Sequence, residues 1–118
     1  MYLKKEDAKF NEATSVFGGM GSIFSRDLWP EELFPKQSGK FLRHVCLPAG
    51  SSLGEHTHSG EYELFYALSG EVEAKDGDET VILRPGDVLL TGNGRSHALF
   101  NKGDQPFEMV SIILYSKE

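Results

Sequence analysis

Nine short runs of strand-forming residues, each closed by turn residues, constrain this chain more than any other feature of it. They are GSIFSRDL (21–28), KFLRHVCLP (40–48), SSLGEHTH (51–58), YELFYALS (62–69), EVEAKD (71–76), ETVILRP (79–85), DVLLTG (87–92), SHALFNK (96–102) and PFEMVSIILYS (106–116). Gly70, Asp76-Gly77-Asp78, Pro85-Gly86 and Gly92-Asn93-Gly94 separate them. Glycine and asparagine supply the positive φ that tight turns demand. Short strands recurring at about ten-residue intervals, with no long helical pattern between them, predict an all-β sandwich or barrel, not a parallel α/β sheet. Only DLWPEELF (27–34) has the character of a short helix, with Pro30 in its first turn.

At 118 residues the chain fits one domain with a single core and needs no staple. Residues 1–19 are polar, end in Gly18-Gly19, and read as an N-terminal arm, either flexible or forming a short helix; residues 20–118 read as the β-barrel domain. The net charge is −6 and the lysines and arginines are scattered, so neither nucleic acid nor an anionic membrane is an expected partner. The single cysteine, Cys46, is read as a small buried hydrophobe, and nothing points to an oxidising compartment. MYLKKEDAKFNEA lacks the apolar segment of a signal peptide, and no run reaches the ~20 apolar residues of a membrane helix. The expected location is the cytoplasm.

The stretch GEHTHSGEYELFYALSG (54–70) sets polar groups among bulky apolar ones. Side chains two apart in a strand share a face, so His56 and His58 project together. Beyond the turn at Ser59-Gly60, Glu61, Glu63 and Phe65 share a face, and a hairpin through that turn would bring Glu63 beside the histidines. Imidazoles and a carboxylate on a rigid sheet form an N/O ligand set for a divalent Mn, Fe, Ni, Zn, Co or Cu ion. A further ligand is needed, and His97 in SHALFN is the candidate; His44 lies in an earlier strand. Glu55 and Glu61 are read as solvated surface carboxylates.

Residues 50–70 read G-x5-H-x-H-x4-E-x6-G through Gly50, His56, His58, Glu63 and Gly70, and residues 86–101 read G-x5-G-x-G-x2-H-x3-N through Gly86, Gly92, Gly94, His97 and Asn101. Chance agreement at the five positions of the first pattern is on the order of one in a million per start position. The chain resembles a small single-domain cupin from about residue 20 onward, departing from it at Gly92, where the second motif usually has proline. The resemblance implies a jelly-roll β-barrel (double-stranded β-helix) of two antiparallel sheets. It implies one divalent metal held inside by His56, His58, Glu63 and His97. It also implies homodimers in which the segment around GSIFSRDL adds a strand to the partner's sheet.

Four protein ligands on an octahedral ion would leave two positions for a small anionic or polyoxygenated molecule, a carboxylate, dicarbonyl or sugar. Oxidation, decarboxylation or isomerisation of it is one expected function; non-catalytic binding or sensing is the other. Arg43 and His44 are adjacent, so one of them faces the interior: Arg43 to clamp a carboxylate, or His44 to act as general acid/base. Phe65 and Leu99 share parity with Glu63 and His97 and line the inner wall. Arg95 is read as a solvated turn residue. YELFYALS and VSIILYS are apolar on both faces, which calls for a second copy to cover the outer one. Gly18-Gly19-Met20-Gly21 precedes a strand and does not read as a phosphate cradle.

Overall fold

The structure is a computed structural model, and it describes residues 1–116. Its strands are β1 (Asn11–Thr14), β2 (Ser22–Asp27), β3 (Gly39–Leu47), β4 (Ser52–His58) and β5 (Glu61–Ser69), followed by β6 (Val72–Asp76), β7 (Glu79–Leu83), β8 (Val88–Thr91), β9 (Arg95–Phe100) and β10 (Phe107–Tyr115). They form a six-stranded sheet in the order β1-β2-β3-β10-β5-β8 and a four-stranded sheet in the order β4-β9-β6-β7. Every pairing is antiparallel. The two sheets face each other as a jelly-roll barrel: the turn spacing predicts an all-β sandwich or barrel, and the resemblance implies the jelly-roll order.

Alternation in the strands decides what lies between the sheets. Along β5, Glu61, Glu63, Phe65 and Ala67 are buried while Tyr62, Leu64, Tyr66 and Leu68 face outward. Along β10, Phe107, Met109, Ser111 and Ile113 are buried, and the residues between them are not. Leu47, Phe65, Leu99, Phe107 and Met109 form the centre of the core. At one end Asn101 ties two turns together. Its side-chain amide donates to the Leu47 and Gln105 carbonyls, each at 2.9 Å, and its Oδ1 accepts from the Gly103 amide at 3.1 Å.

Several local expectations are corrected. Within residues 1–19, read as a flexible arm or a short helix, Asn11–Thr14 instead forms a strand, β1, paired antiparallel with β2. The segment expected to be a short helix makes only one 3-10 turn, Glu31–Leu33, directly after Pro30. The GSIFSRDL segment is hydrogen-bonded within its own chain, to β1 and to β3. Finally, β4 and β5 are not a hairpin: the turn at Ser59-Gly60 carries the chain from one sheet to the other. A tight turn fixes a reversal of direction, but not whether the second strand pairs with the first or with strands across the barrel.

Among the described residues, no helix is long and apolar enough to cross a membrane.

Candidate metal centre

The crossing at Ser59-Gly60 sets Glu63 on the wall opposite the histidines. His56 and His58 come from β4, and His97, the direct cross-strand partner of His56, comes from β9. Glu63 comes from β5 in the other sheet. The histidine Nε2 atoms of 56 and 97 are 2.9 Å apart, and those of 58 and 97 are 3.1 Å apart. Glu63 Oε1 lies 2.9 Å from His58 Nε2, 3.2 Å from His97 Nε2 and 4.0 Å from His56 Nε2. The four ligand atoms all lie within 4.8 Å of one another.

A β-bulge makes this possible on β4. Leu53 pairs with Leu99 and His56 with His97, so three steps on β4 match two on β9. Strict alternation would place Leu53 and His56 on opposite faces. With the extra residue, both line the same cavity. Gly54 sits within the bulge, and a Cβ there would collide with the Phe17 carbonyl.

Each ligand is held from behind. His56 Nδ1 donates to the Gly54 carbonyl at 2.7 Å, and His58 Nδ1 to Glu61 Oε2 at 2.6 Å. Carbonyl and carboxylate oxygens only accept, so these Nδ1 atoms carry a proton, and each ring, when neutral, turns an Nε2 lone pair inward. His97 Nδ1 is bonded to the Thr91 hydroxyl at 2.9 Å, and its ring stacks on Phe65 with centroids 4.8 Å apart. The Ser111 hydroxyl donates to Glu63 Oε2 at 2.7 Å. Inward lone pairs about 3 Å apart repel unless a proton or a cation lies between them. Two donors about 2.1 Å from one ion, the usual histidine–metal distance, are ~3 Å apart when they meet at right angles. The donor set therefore fits a divalent metal ion.

The electrostatics agree. Burial acts to raise the Glu63 carboxyl, but the three histidines and Ser111 outweigh it and hold Glu63 far below the usual carboxylate range. The hydrogen bond to Glu63, reinforced by Glu61, holds His58 above the ordinary histidine value against its burial. His97 is lowered, chiefly by burial.

Glu61 is not surface charge. It is 8% exposed, and its second oxygen takes the Lys40 ammonium at 2.8 Å. Burial acts to raise it, yet Lys40 and His58 hold it below its ordinary value. Lys40 reaches it from a register shift, where two steps on β3 match one on β10 beside Ile113 and Leu114. Thr91 and Ser111, 0% and 1% exposed, were also missed. Their signal was a hydroxyl at inward parity in VLLT and VSIILY, where apolar residues are the norm.

His56, His58 and Glu63 open on a cavity of about 520 Å³ whose lining includes Arg43, Lys40, Phe65, Leu99 and Phe17, with His97 buried behind them. Arg43 is on the cavity wall, its Nε donating to Asp27 at 3.0 Å and its guanidinium 4.0 Å from the Phe41 ring centroid. His44 projects to the other face of the sheet, where it meets Glu108 at 2.8 Å and the edge of Phe10. The structure thus gives no support to His44 as a general acid/base at this site. Glu55 is exposed. Arg95 is exposed as well and pairs with Asp76 at 3.3 Å. Cys46, expected in the core, is half-buried beside Glu108, and burial pushes its thiol up.

The family model of the cupin domain matches residues 43–113, a span that includes all four candidate donors. The chain belongs to the cupin family. An oxalate-binding protein of Thermotoga maritima is 32% identical over 114 residues, covering 97% of this cupin and 93% of that protein. A crystal structure of a protein from Thermotoga maritima described as a predicted oxalate decarboxylase superposes with a TM-score of 0.90, at 29% identity, over 98% of this cupin and all of that chain. An RmlC-like cupin from Shewanella frigidimarina, 11% identical, superposes with a TM-score of 0.75 over 99% of this cupin and 92% of its own chain, a likeness of fold alone. The departure at Gly92 has a local cause: a side chain there would run into the Tyr62 ring.

Proposed function

We propose that this cupin binds a small oxygen-rich anion of the carboxylate class at a divalent ion held by His56, His58, Glu63 and His97, and transforms it by oxidation, decarboxylation or isomerisation. The observation that carries this reading is the cluster of His56, His58, Glu63 and His97 at the edge of a cavity that His56, His58 and Glu63 line together with the cations Arg43 and Lys40. The similarity to an oxalate-binding protein supports a carboxylate as ligand. When bound, the ion supplies Lewis-acid polarisation of a ligand oxygen, and electron exchange if the metal is redox-active. Arg43 supplies a charge-assisted hydrogen bond to a carboxylate, with Asp27 and the Phe41 ring fixing its orientation. Glu61 keeps the proton on His58 Nδ1, and Phe65, Leu53 and Leu99 exclude water from the wall.

Calorimetry with oxalate on Mn-loaded protein tests this. Binding should require the metal, and Arg43→Met should weaken it by about tenfold or more while metal content stays unchanged. Oxalate binding that ignores metal removal, or indifference to a panel of small carboxylates, would overturn the proposal.

A second reading, non-catalytic binding, is favoured by a specific observation. Both cavity cations are already paired, Arg43 with Asp27 and Lys40 with Glu61. Tight binding with no loss of ligand over many hours would select it. In either case we infer a homodimer. Tyr66, Leu68, Val88, Leu90 and Leu114 lie on the outer face of the six-stranded sheet and are each at least 42% exposed. Tyr66 pairs with Val88 and Leu64 with Leu90, so the apolar residues are contiguous, and a second copy of this chain would cover them.

A further inference from the structure

Residues 15–19, the loop between β1 and β2, cross from the six-stranded sheet to the edge strand β4 of the other sheet. The crossing is made by backbone. The Ser52 amide donates to the Met20 carbonyl at 2.9 Å, and the Met20 amide donates to Ser52 Oγ at 2.7 Å. Gly19 and Gly54 permit it, since a Cβ on Gly19 would collide with the Ser52 carbonyl and one on Gly54 with that of Phe17.

What the loop delivers is Phe17. Its ring lies flat on His56, with centroids 3.9 Å apart and planes 11° from parallel, and it lines the cavity. His56 therefore has one face sealed by a residue that is itself 62% exposed. The arrangement is strained. Ser15 and Phe17 have φ of 50° and 51°, in the left-handed region that side chains other than glycine seldom adopt, and Gly18 follows at 77°. Val16, between the two strained residues, packs against the core and pins the loop there. On its far side the loop borders an open hollow with Gly50, Phe100 and Lys102, which gives Phe17 space to swing into. Strain, shallow packing and a glycine pair are the features of segments that open locally at low free energy.

We propose that residues 15–19 are a gate over the cavity, with Phe17 as its leaf: closed, it stacks on His56; open, it admits the metal ion and the anion. The proposal rests on the metal reading above. It makes Phe17 a determinant of exchange rate more than of affinity, because the ring touches one ligand but supplies no donor atom.

Co²⁺ is a suitable probe. Its uptake by the metal-free protein, and its transfer from loaded protein to excess EDTA, can each be followed by stopped-flow absorption. Phe17→Ala, and independently Gly19→Ala, which pushes the loop off β4 without altering the ring, should each speed uptake and release by about tenfold. The ratio of the two rates should change much less. Normal Co²⁺ binding with both rates unchanged in both variants would overturn the gate alone. Faster release with unchanged uptake would also overturn it, since Phe17 would then be a packing support. Failure of the wild-type protein to take up Co²⁺ would overturn the metal reading and the gate with it. Amide exchange on the unmodified protein gives a reading that needs no variant: Gly18 and Gly19 should exchange faster than β4, and equal protection would contradict the gate.

Discussion

At the scale of the residue, the site is four candidate metal ligands and the atoms that hold them. Glu61 is the clearest case, because its carboxylate fixes the proton on His58 Nδ1 and takes its own counter-charge from Lys40. Partners of this kind are worth 10–100-fold in metal affinity, so Glu61→Ala should weaken metal binding by roughly that factor, read by competition with a fluorescent chelator. Unchanged affinity would show that His58 is held by packing alone. The contact between His58 Nε2 and Glu63 gives a pH dependence. His58 keeps its proton above the ordinary histidine value, chiefly through Glu63, and metal binding must displace that proton. Affinity should therefore rise with pH by about tenfold per unit up to the raised His58 pKa and level off above it. A titration of metal affinity against pH checks the sign, and affinity that falls with rising pH would contradict it. His56, His58, Glu63 and His97 were legible in the sequence because strand parity and spacing are properties of the chain itself. Glu61 was not. Its position at a turn reads as solvation, and only the register shift at Lys40 brings a cation across to bury it.

At the scale of the element, the turns set the strands and the bulges set what the strands present. Gly70, Gly77 and Gly86 have positive φ and stand where strands end, which is why most boundaries could be read to within a residue or two. The partner of each strand could not be read in this way. SSLGEHTH-SG-EYELFYALS has every mark of a hairpin, yet its halves lie in different sheets, because the residues that pair with β5 come from β8 and β10, far along the chain. The bulge on β4 was equally hidden, since Leu53 and His56 are out of phase in any regular strand. Asn101 shows how a motif residue that binds no ligand serves the site. It joins the Leu47 and Gln105 carbonyls and the Gly103 amide at the end of the barrel that closes β9. Asn101→Ala leaves the buried Leu47 carbonyl without its donor and should cost about 1–3 kcal/mol of stability, read from urea unfolding of the metal-free protein. A loss within 0.5 kcal/mol, the range of an ordinary surface change, would show that water replaces the amide.

At the scale of the whole molecule, two apolar surfaces compete for cover, and the barrel can hide only one. The inner faces of β5, β8 and β10 build the core, while their outer faces leave Tyr66, Val88, Leu90 and Leu114 exposed. Sedimentation at micromolar concentration should give a dimer, and Leu90→Lys should shift it to monomer with the fold retained by circular dichroism. A wild-type monomer would place this face outside any self-association. That both faces are apolar was plain in YELFYALS, but which sheet carries the uncovered face follows only from the strand order. The central claim is that His56, His58, Glu63 and His97 together hold one metal ion. Metal analysis of protein purified without a histidine tag tests it most directly. About one equivalent of a divalent transition metal per chain is expected, lost in His58→Ala with the barrel still folded. A chain that carries no such metal, and whose folding and ligand binding ignore chelators and added ions alike, would contradict it.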